Sequence, residues 1–169
     1  MATKTYLFKP DKKFLKQGFF MEDENKNVIY EAKMAKFALI GAFEFEFVNH
    51  KTNTSNVHKI GHTLTSSESG MLHMVSIKSS FKLDGQNVWD YLHELGIRID
   101  SKLSSNKIGM TYVVSLKGQD FATIATSSPN GKSLITNPYC YDVTTDDENL
   151  DLAFLVTFAI ARTEQVAYN

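Results

Sequence analysis

The chain has 169 residues, of which 43% are hydrophobic and 22% are charged, and its formal net charge is −1. These proportions are typical of globular proteins and exclude wholesale disorder, while the near-neutral charge argues against a nucleic-acid binder that works by bulk charge. The only cysteine, Cys140, excludes an internal disulfide.

The same features bear on compartment and domain number. The N-terminus lacks a charged start followed by an apolar core, so no secretory signal is predicted and a cytoplasmic protein is favoured. The longest apolar run, residues 152–161, covers roughly 15 Å as a helix, about half the hydrocarbon core of a bilayer, so no transmembrane segment is predicted. Residues 1–169 are expected to form a single domain.

Apolar segments bounded by turn residues recur along the chain, and they predict strands at residues 6–8, 14–21, 28–30, 43–47, 71–81, 110–116, 121–126 and 139–143. The clearest is 43–47, where three phenylalanines alternate with two glutamates and place three rings on one face. A polar turn is predicted at 50–56, and the mixed pattern at 57–64 defines no clear face.

One amphipathic helix interrupts the predicted strands, near residues 87–95. Asn87 is a suitable N-cap, and Val88, Leu92 and Leu95 recur at helical spacing. Gly96 stands where a helix commonly ends on a glycine. This helix is expected to lie against the outside of a sheet or to plug one end of it.

A second helix is predicted at the end of the chain. Between residues 152 and 161 only Thr157 interrupts an apolar run, so every face of the helix is apolar and the helix should be buried on all sides. A buried strand is the alternative, but the alanines of the run are weak strand formers, and the preceding carboxylates suit a helix N-terminus.

These elements predict a mainly β fold. About ten short strands suggest a sandwich or a barrel. A two-layer sandwich leaves no room for a buried helix, whereas a closed antiparallel β-barrel of more than eight strands can enclose one. The prediction is therefore a closed antiparallel barrel around a central hydrophobic C-terminal helix.

The C-terminal part of the sequence resembles the tubby C-terminal-like superfamily, which includes tubby proteins, phospholipid scramblases and LURP-one-related proteins. The resemblance lies in a strand at 121–125, a tyrosine-bearing strand at 139–143 and an aspartate-led apolar helix at 151–161. The helix near 87–95 looks like an insertion relative to the plant and animal members of the superfamily. The chain is similar to small bacterial tubby-like proteins. The resemblance implies a closed barrel of about 12 strands around the helix.

The resemblance implies a non-enzymatic binding or interaction module, because tubby domains bind phosphoinositide headgroups through lysines and arginines. The local excess of positive charge here gives four candidate lipid-binding residues, Lys9, Lys12, Lys13 and Lys16. Each could contribute about 1 kcal/mol near an anionic membrane. A solvated sheet edge, on which lysines block aggregation, explains the same residues.

Scramblases carry an acidic segment, proposed to bind calcium, just before the helix. The residues in that position are Asp146, Asp147, Glu148 and Asp151. Because carboxylates at a helix N-terminus also complement the helix dipole, they form only a weak calcium candidate.

Catalytic and cofactor motifs are missing from the sequence. A nucleophile elbow and a glycine-rich nucleotide loop are both absent, and His58 and His62 would lie about 13 Å apart on a strand, too far to share a metal ion. No cofactor is therefore expected. An enzyme or a scramblase-like lipid-handling protein, with a site assembled across strands, remains the alternative function.

Overall fold

A computed structural model describes residues 3–11, 18–36, 43–62, 81–103, 110–127 and 140–168. Its strands are β1 (Lys4–Pro10), β2 (Phe19–Glu22), β3 (Val28–Lys36), β4 (Phe43–Asn49), β5 (Thr54–His62), β6 (Phe81–Leu83), β7 (Gln86–Asn87), β8 (Ile97–Leu103), β9 (Met110–Leu116), β10 (Gln119–Thr126) and β11 (Tyr141–Thr145). Its helices are α1 (Val88–Glu94) and α2 (Leu150–Tyr168). The predicted strand residues 71–80 lie outside the described residues.

All eleven strands belong to one antiparallel sheet, in the order β7-β6-β5-β4-β3-β2-β1-β11-β10-β9-β8. The mainly β prediction is therefore confirmed. The pairing of β1 with β11 places Tyr6 opposite Val143 and joins the two ends of the chain in the middle of the sheet.

The closed barrel is not confirmed. Among the described residues β7 and β8 stand at opposite ends of the strand order and do not pair with each other. Helix α1 follows β7 and precedes β8 in the chain, and it contacts both strands. The two end strands are therefore linked by a helix rather than by a ladder of hydrogen bonds.

Helix α2 forms the centre of the core, as predicted. Phe154 packs against the rings of Phe8, Tyr30 and Phe47, at centroid distances of 5.3, 4.3 and 5.7 Å. One turn later, Phe158 meets rings on β2 and β4. Strands β10 and β11 also lie against the helix. Four large side chains of the helix are all buried, as expected for a helix that is covered on every face: Phe154, Leu155, Phe158 and Ile160.

The sheet supplies the walls of this core through alternation. On β4, Phe45 and Phe47 are buried, while Glu44 and Glu46 are only partly covered, as the sequence pattern predicts. Among the described residues, no helix is both long enough and apolar enough to cross a membrane.

The predicted helix near 87–95 is also confirmed. The side-chain oxygen of Asn87 accepts hydrogen bonds from the backbone N–H groups of Trp89 (3.0 Å) and Asp90 (3.2 Å). Val88 and Leu92 face the core. Gly96 has φ +88°, the left-handed conformation that favours glycine at a helix C-terminus.

The structure differs from the sequence predictions in two places. β8 was not predicted, because its apolar alternation stops after Ile99 and Asp100, Ser101 and Lys102 then resemble a loop. The polar turn predicted at 50–56 ends at residue 53, since Thr54 pairs with Asn49 and begins β5. In both cases, pairing with a neighbouring strand extends a strand into residues that are mostly polar.

Candidate functional site

A network of polar side chains that are far apart in the sequence lies at the N-terminal end of α2. Lys51, in the turn between β4 and β5, donates hydrogen bonds to Asp147 Oδ1 (2.7 Å) and to the hydroxyl of Tyr6 (2.9 Å). Tyr6 belongs to β1, and Asp147 to the turn before α2. This lysine therefore ties together three parts of the chain.

Asp151 forms the second half of the network, in the first turn of α2. Its Oδ1 accepts hydrogen bonds from the hydroxyl of Tyr30 (2.7 Å) and from Nδ2 of Asn49 (3.2 Å). The side-chain oxygen of Asn49 accepts in turn from the backbone N–H of Lys51 (2.9 Å). The buried polar groups at this end of the core thus have partners, as burial requires.

These contacts fix the charge states of the network. The hydrogen bond from Lys51 lowers the pKa of Asp147, and the bonds to Asp147 and Tyr6 raise the pKa of Lys51. Burial, reinforced by the hydrogen bond to Asp151, raises the pKa of Tyr30 far above its ordinary value. Near neutral pH the carboxylate of Asp147 and the ammonium of Lys51 are charged and the phenol of Tyr30 is neutral, so none of the three suits general acid–base catalysis there.

The four calcium candidates do not converge on one point. The carboxylate of Asp146 accepts from the backbone N–H of Asn149 (2.9 Å), while Asp147 binds Lys51 and Asp151 binds Tyr30 and Asn49. Glu148 lines a surface groove. In the described ranges, no group of three or more His, Cys, Asp or Glu side chains is arranged to hold a metal ion.

The candidate lipid-binding lysines are described only in part. Nζ of Lys9 lies 3.1 Å from Oε1 of Glu22 and 5.2 Å from the centre of the Phe20 ring. Lys12, Lys13 and Lys16 lie outside the described residues. The one lysine that is placed is therefore already engaged by a carboxylate.

A surface groove of about 680 Å³ borders the same end of α2. It runs beside β9, β10 and the turn that precedes the helix, and its lining includes the carboxylates of Asp120, Asp146 and Glu148. These carboxylates would repel an anionic headgroup.

Two of the described histidines, His58 and His62, share β5, as the strand interpretation required, and Nδ1 of His58 lies 2.8 Å from Oδ2 of Asp84. Cys140 is buried.

The network around Asp151 and Lys51 was not predicted as such. Only the carboxylates of α2 were singled out from the sequence, as partners of the helix dipole. Tyr30 and Asn49 stand 121 and 102 residues from Asp151 in the chain, and neither position carries a local motif. Only the pairing of the strands brings them together.

The sequence matches no family model and no curated protein, and the fold matches no solved structure.

Proposed function

We propose that this chain is a non-enzymatic binding or interaction module of tubby-like fold. The observation that carries the proposal is the filling of the interior by α2, in which Phe154 and Phe158 are completely buried against rings of four strands. Because side chains occupy the space in which a barrel would hold a small molecule, a ligand must bind on the outer surface.

The charge states at the polar end of α2 support a binding role over an enzymatic one. An enzyme site normally contains a titratable group whose pKa lies near the working pH. Here the pKa shifts of Asp147, Lys51 and Tyr30 all move away from neutrality. The same contacts stabilise the start of the helix, which is a structural task.

Two surface ligands remain within the proposal, a protein partner and an anionic lipid headgroup. The lysines at 9, 12, 13 and 16 support the lipid, whereas the Lys9–Glu22 pair and the acidic groove oppose it. We therefore favour a protein partner and retain the headgroup as the alternative to be tested.

Vesicle sedimentation distinguishes the two. Purified protein is incubated with phosphatidylcholine vesicles, with or without phosphatidylserine or a phosphoinositide, at low and high salt. A headgroup function predicts binding to anionic vesicles that weakens with salt and in a K9Q/K12Q/K13Q/K16Q variant, because the attraction is screened surface charge.

The matched control removes four positive charges elsewhere on the surface, in a K26Q/K59Q/K82Q/K117Q variant whose lysines are all exposed. Equal loss in both variants would indicate non-specific charge, and no binding would leave the protein-partner form of the proposal. Calcium-dependent transfer of a fluorescent lipid between leaflets would instead contradict a pure binding module and support the lipid-handling alternative.

A further inference from the structure

Among the described strands, β8 stands at one end of the sheet. Within the described ranges its only pairing neighbour is β9, in a register from Ile97↔Leu116 to Leu103↔Met110. Helix α1 packs near this strand. An edge strand presents one row of backbone N–H and C=O groups to another chain.

The hydrogen bonds between β8 and β9 show which residues of β8 have backbone N–H and C=O groups that point away from β9. One step before β8, the carbonyl of Gly96 accepts a hydrogen bond from the N–H of Lys117 (2.9 Å). Bonded and non-bonded pairs alternate along antiparallel strands, so the even-numbered residues bond to β9. The backbone groups of Ile97, Ile99, Ser101 and Leu103 therefore point away from the sheet.

A groove of about 540 Å³ adjoins this edge. Ile97 and Ile99 belong to both features, and Trp89 and Leu92 of α1 contribute to the groove. Ile99 and Trp89 are only partly buried. A strand added to β8 would thus form backbone hydrogen bonds and also cover the exposed part of Ile99, as in β-augmentation.

We propose that β8 pairs antiparallel with β8 of a second copy of this chain, about a two-fold axis at Ser101. The residues whose backbone groups point outward must lie opposite one another in the two copies. The two-fold axis can therefore pass through Ile99, Asp100 or Ser101, which then lies opposite its own copy. Directly opposed like charges destabilise a strand pair, so a centre that opposes them is unfavourable.

A centre at Asp100 would oppose Asp100 to itself and Arg98 to Lys102. A centre at Ile99 would also oppose unlike charges, Arg98 to Asp100, but it would require the backbone of Ile97, at the end of β8 that adjoins α1. A centre at Ser101 opposes Asp100 to Lys102 twice by symmetry and places Ile99 opposite Leu103. Asp100 and Lys102 are both exposed. Oδ1 of Asp100 lies 3.4 Å from Nε of Arg98, but this ion pair is open to solvent and leaves the second carboxylate oxygen to face Lys102 of the other copy.

This pairing forms about six backbone hydrogen bonds, from three bonded pairs of two bonds each. An interface of that size is small, so we expect a weak dimer that populates only at high protein concentration. The inference does not depend on the ligand proposed above, because it uses a different part of the surface.

The test is a charge swap followed by sedimentation velocity from about 10 µM to about 1 mM, the range in which small interfaces associate. Wild-type protein should shift from monomer towards dimer. Lys102→Glu alone, and Asp100→Lys alone, should each weaken association about tenfold, because each variant opposes like charges twice. An equimolar mixture of the two variants should associate again, since every opposed pair is then complementary.

Two further variants sharpen the result. Ser101→Pro removes an outward N–H that bonds to nothing within the described sheet, so it should abolish dimerisation while the circular dichroism spectrum stays native. Lys82→Glu, an exposed charge change on β6, should leave the dimer intact. A monomer at every concentration, or a dimer unaffected by the swaps and by Ser101→Pro, would overturn the proposal.

Discussion

The two helices differ in how much of their surface is buried and in the sequence pattern that produces this burial. Helix α1 buries Val88 and Leu92 and exposes Asp90, His93 and Glu94, so it has one apolar side. Helix α2 is buried continuously from Ala153 to Arg162, including all of its faces. An amphipathic pattern therefore marks a helix with one packing neighbour, whereas a uniformly apolar run marks a helix that the sheet surrounds.

Their N-termini differ in the same way. Asn87 caps α1 through backbone groups two and three residues later, a contact contained within the local sequence. The first turn of α2 is held by Asp151, whose partners Tyr30 and Asn49 come from β3 and β4. Helix α1 should therefore respond to changes in its own sequence, and α2 to changes in the sheet.

The largest effect should come from the ring at the centre of α2. Phe158→Ala should lower the free energy of unfolding by about 3 to 5 kcal/mol, because it leaves a cavity among the rings of Phe19, Phe45 and Phe47. Tyr91→Ala on α1 is the control and should cost less than half as much, since Tyr91 is only partly buried. Equal costs by urea denaturation would contradict the contrast between the helices.

The next effect concerns the hydroxyl of Tyr30. Tyr30→Phe should cost about 1 to 2 kcal/mol near neutral pH, because Asp151 loses the hydrogen bond that the Tyr30 hydroxyl donates at the end of the core and keeps only the one from Asn49.

The same substitution should change the response to alkaline pH. The folded-state pKa of Tyr30 is raised, so its protonated form contributes stability that is complete below the unfolded value near 10 and is lost as pH rises from there towards the folded pKa. The melting temperature of wild type should therefore fall more steeply above about pH 10 than that of Tyr30→Phe. Parallel curves would show that Tyr30 ionises as freely in the native state as in the unfolded state.

A smaller effect is expected at the cap of α1. Asn87→Ala should cost about 1 kcal/mol, and Asn87→Asp, which keeps the capping oxygen, should cost less. Hydrogen exchange should show the loss in α1 and not in α2. A loss of protection in both helices would mean that the end of α1 is coupled to the core.

The smallest effect should be that of calcium. Millimolar calcium should leave the melting temperature unchanged within about 1 °C, because the carboxylates of Asp146, Asp147 and Asp151 are directed to separate partners. Asp147→Asn should cost less than about 1 kcal/mol, since its ion pair with Lys51 is exposed to solvent. A calcium-dependent rise of several degrees that Asp146→Asn/Asp147→Asn removes would contradict this prediction.

Sequence patterns predicted what depends on local periodicity. The rings of β4, the cap and end of α1, and the burial of α2 follow from spacing alone. β8 escaped prediction because its exposed residues are polar and its strand conformation depends on β9. The network at Asp151 could not be predicted from local patterns, because Tyr30 and Asn49 are brought next to Asp151 only by the order of the strands in the sheet. The four lysines remain predicted lipid contacts, of which only Lys9 is placed.

The pairing of β1 with β11 has a consequence for how the molecule is made. Thr5 and Thr144, which share a hydrogen bond across this pair, are 139 residues apart. On the ribosome, β2 to β9 emerge before β11, and α2 emerges after β11. The apolar face of the sheet stays uncovered until the helix that packs against it has been made, so folding should be slow. During that interval the apolar strands of the nascent chain are exposed, a state in which chains are prone to aggregate.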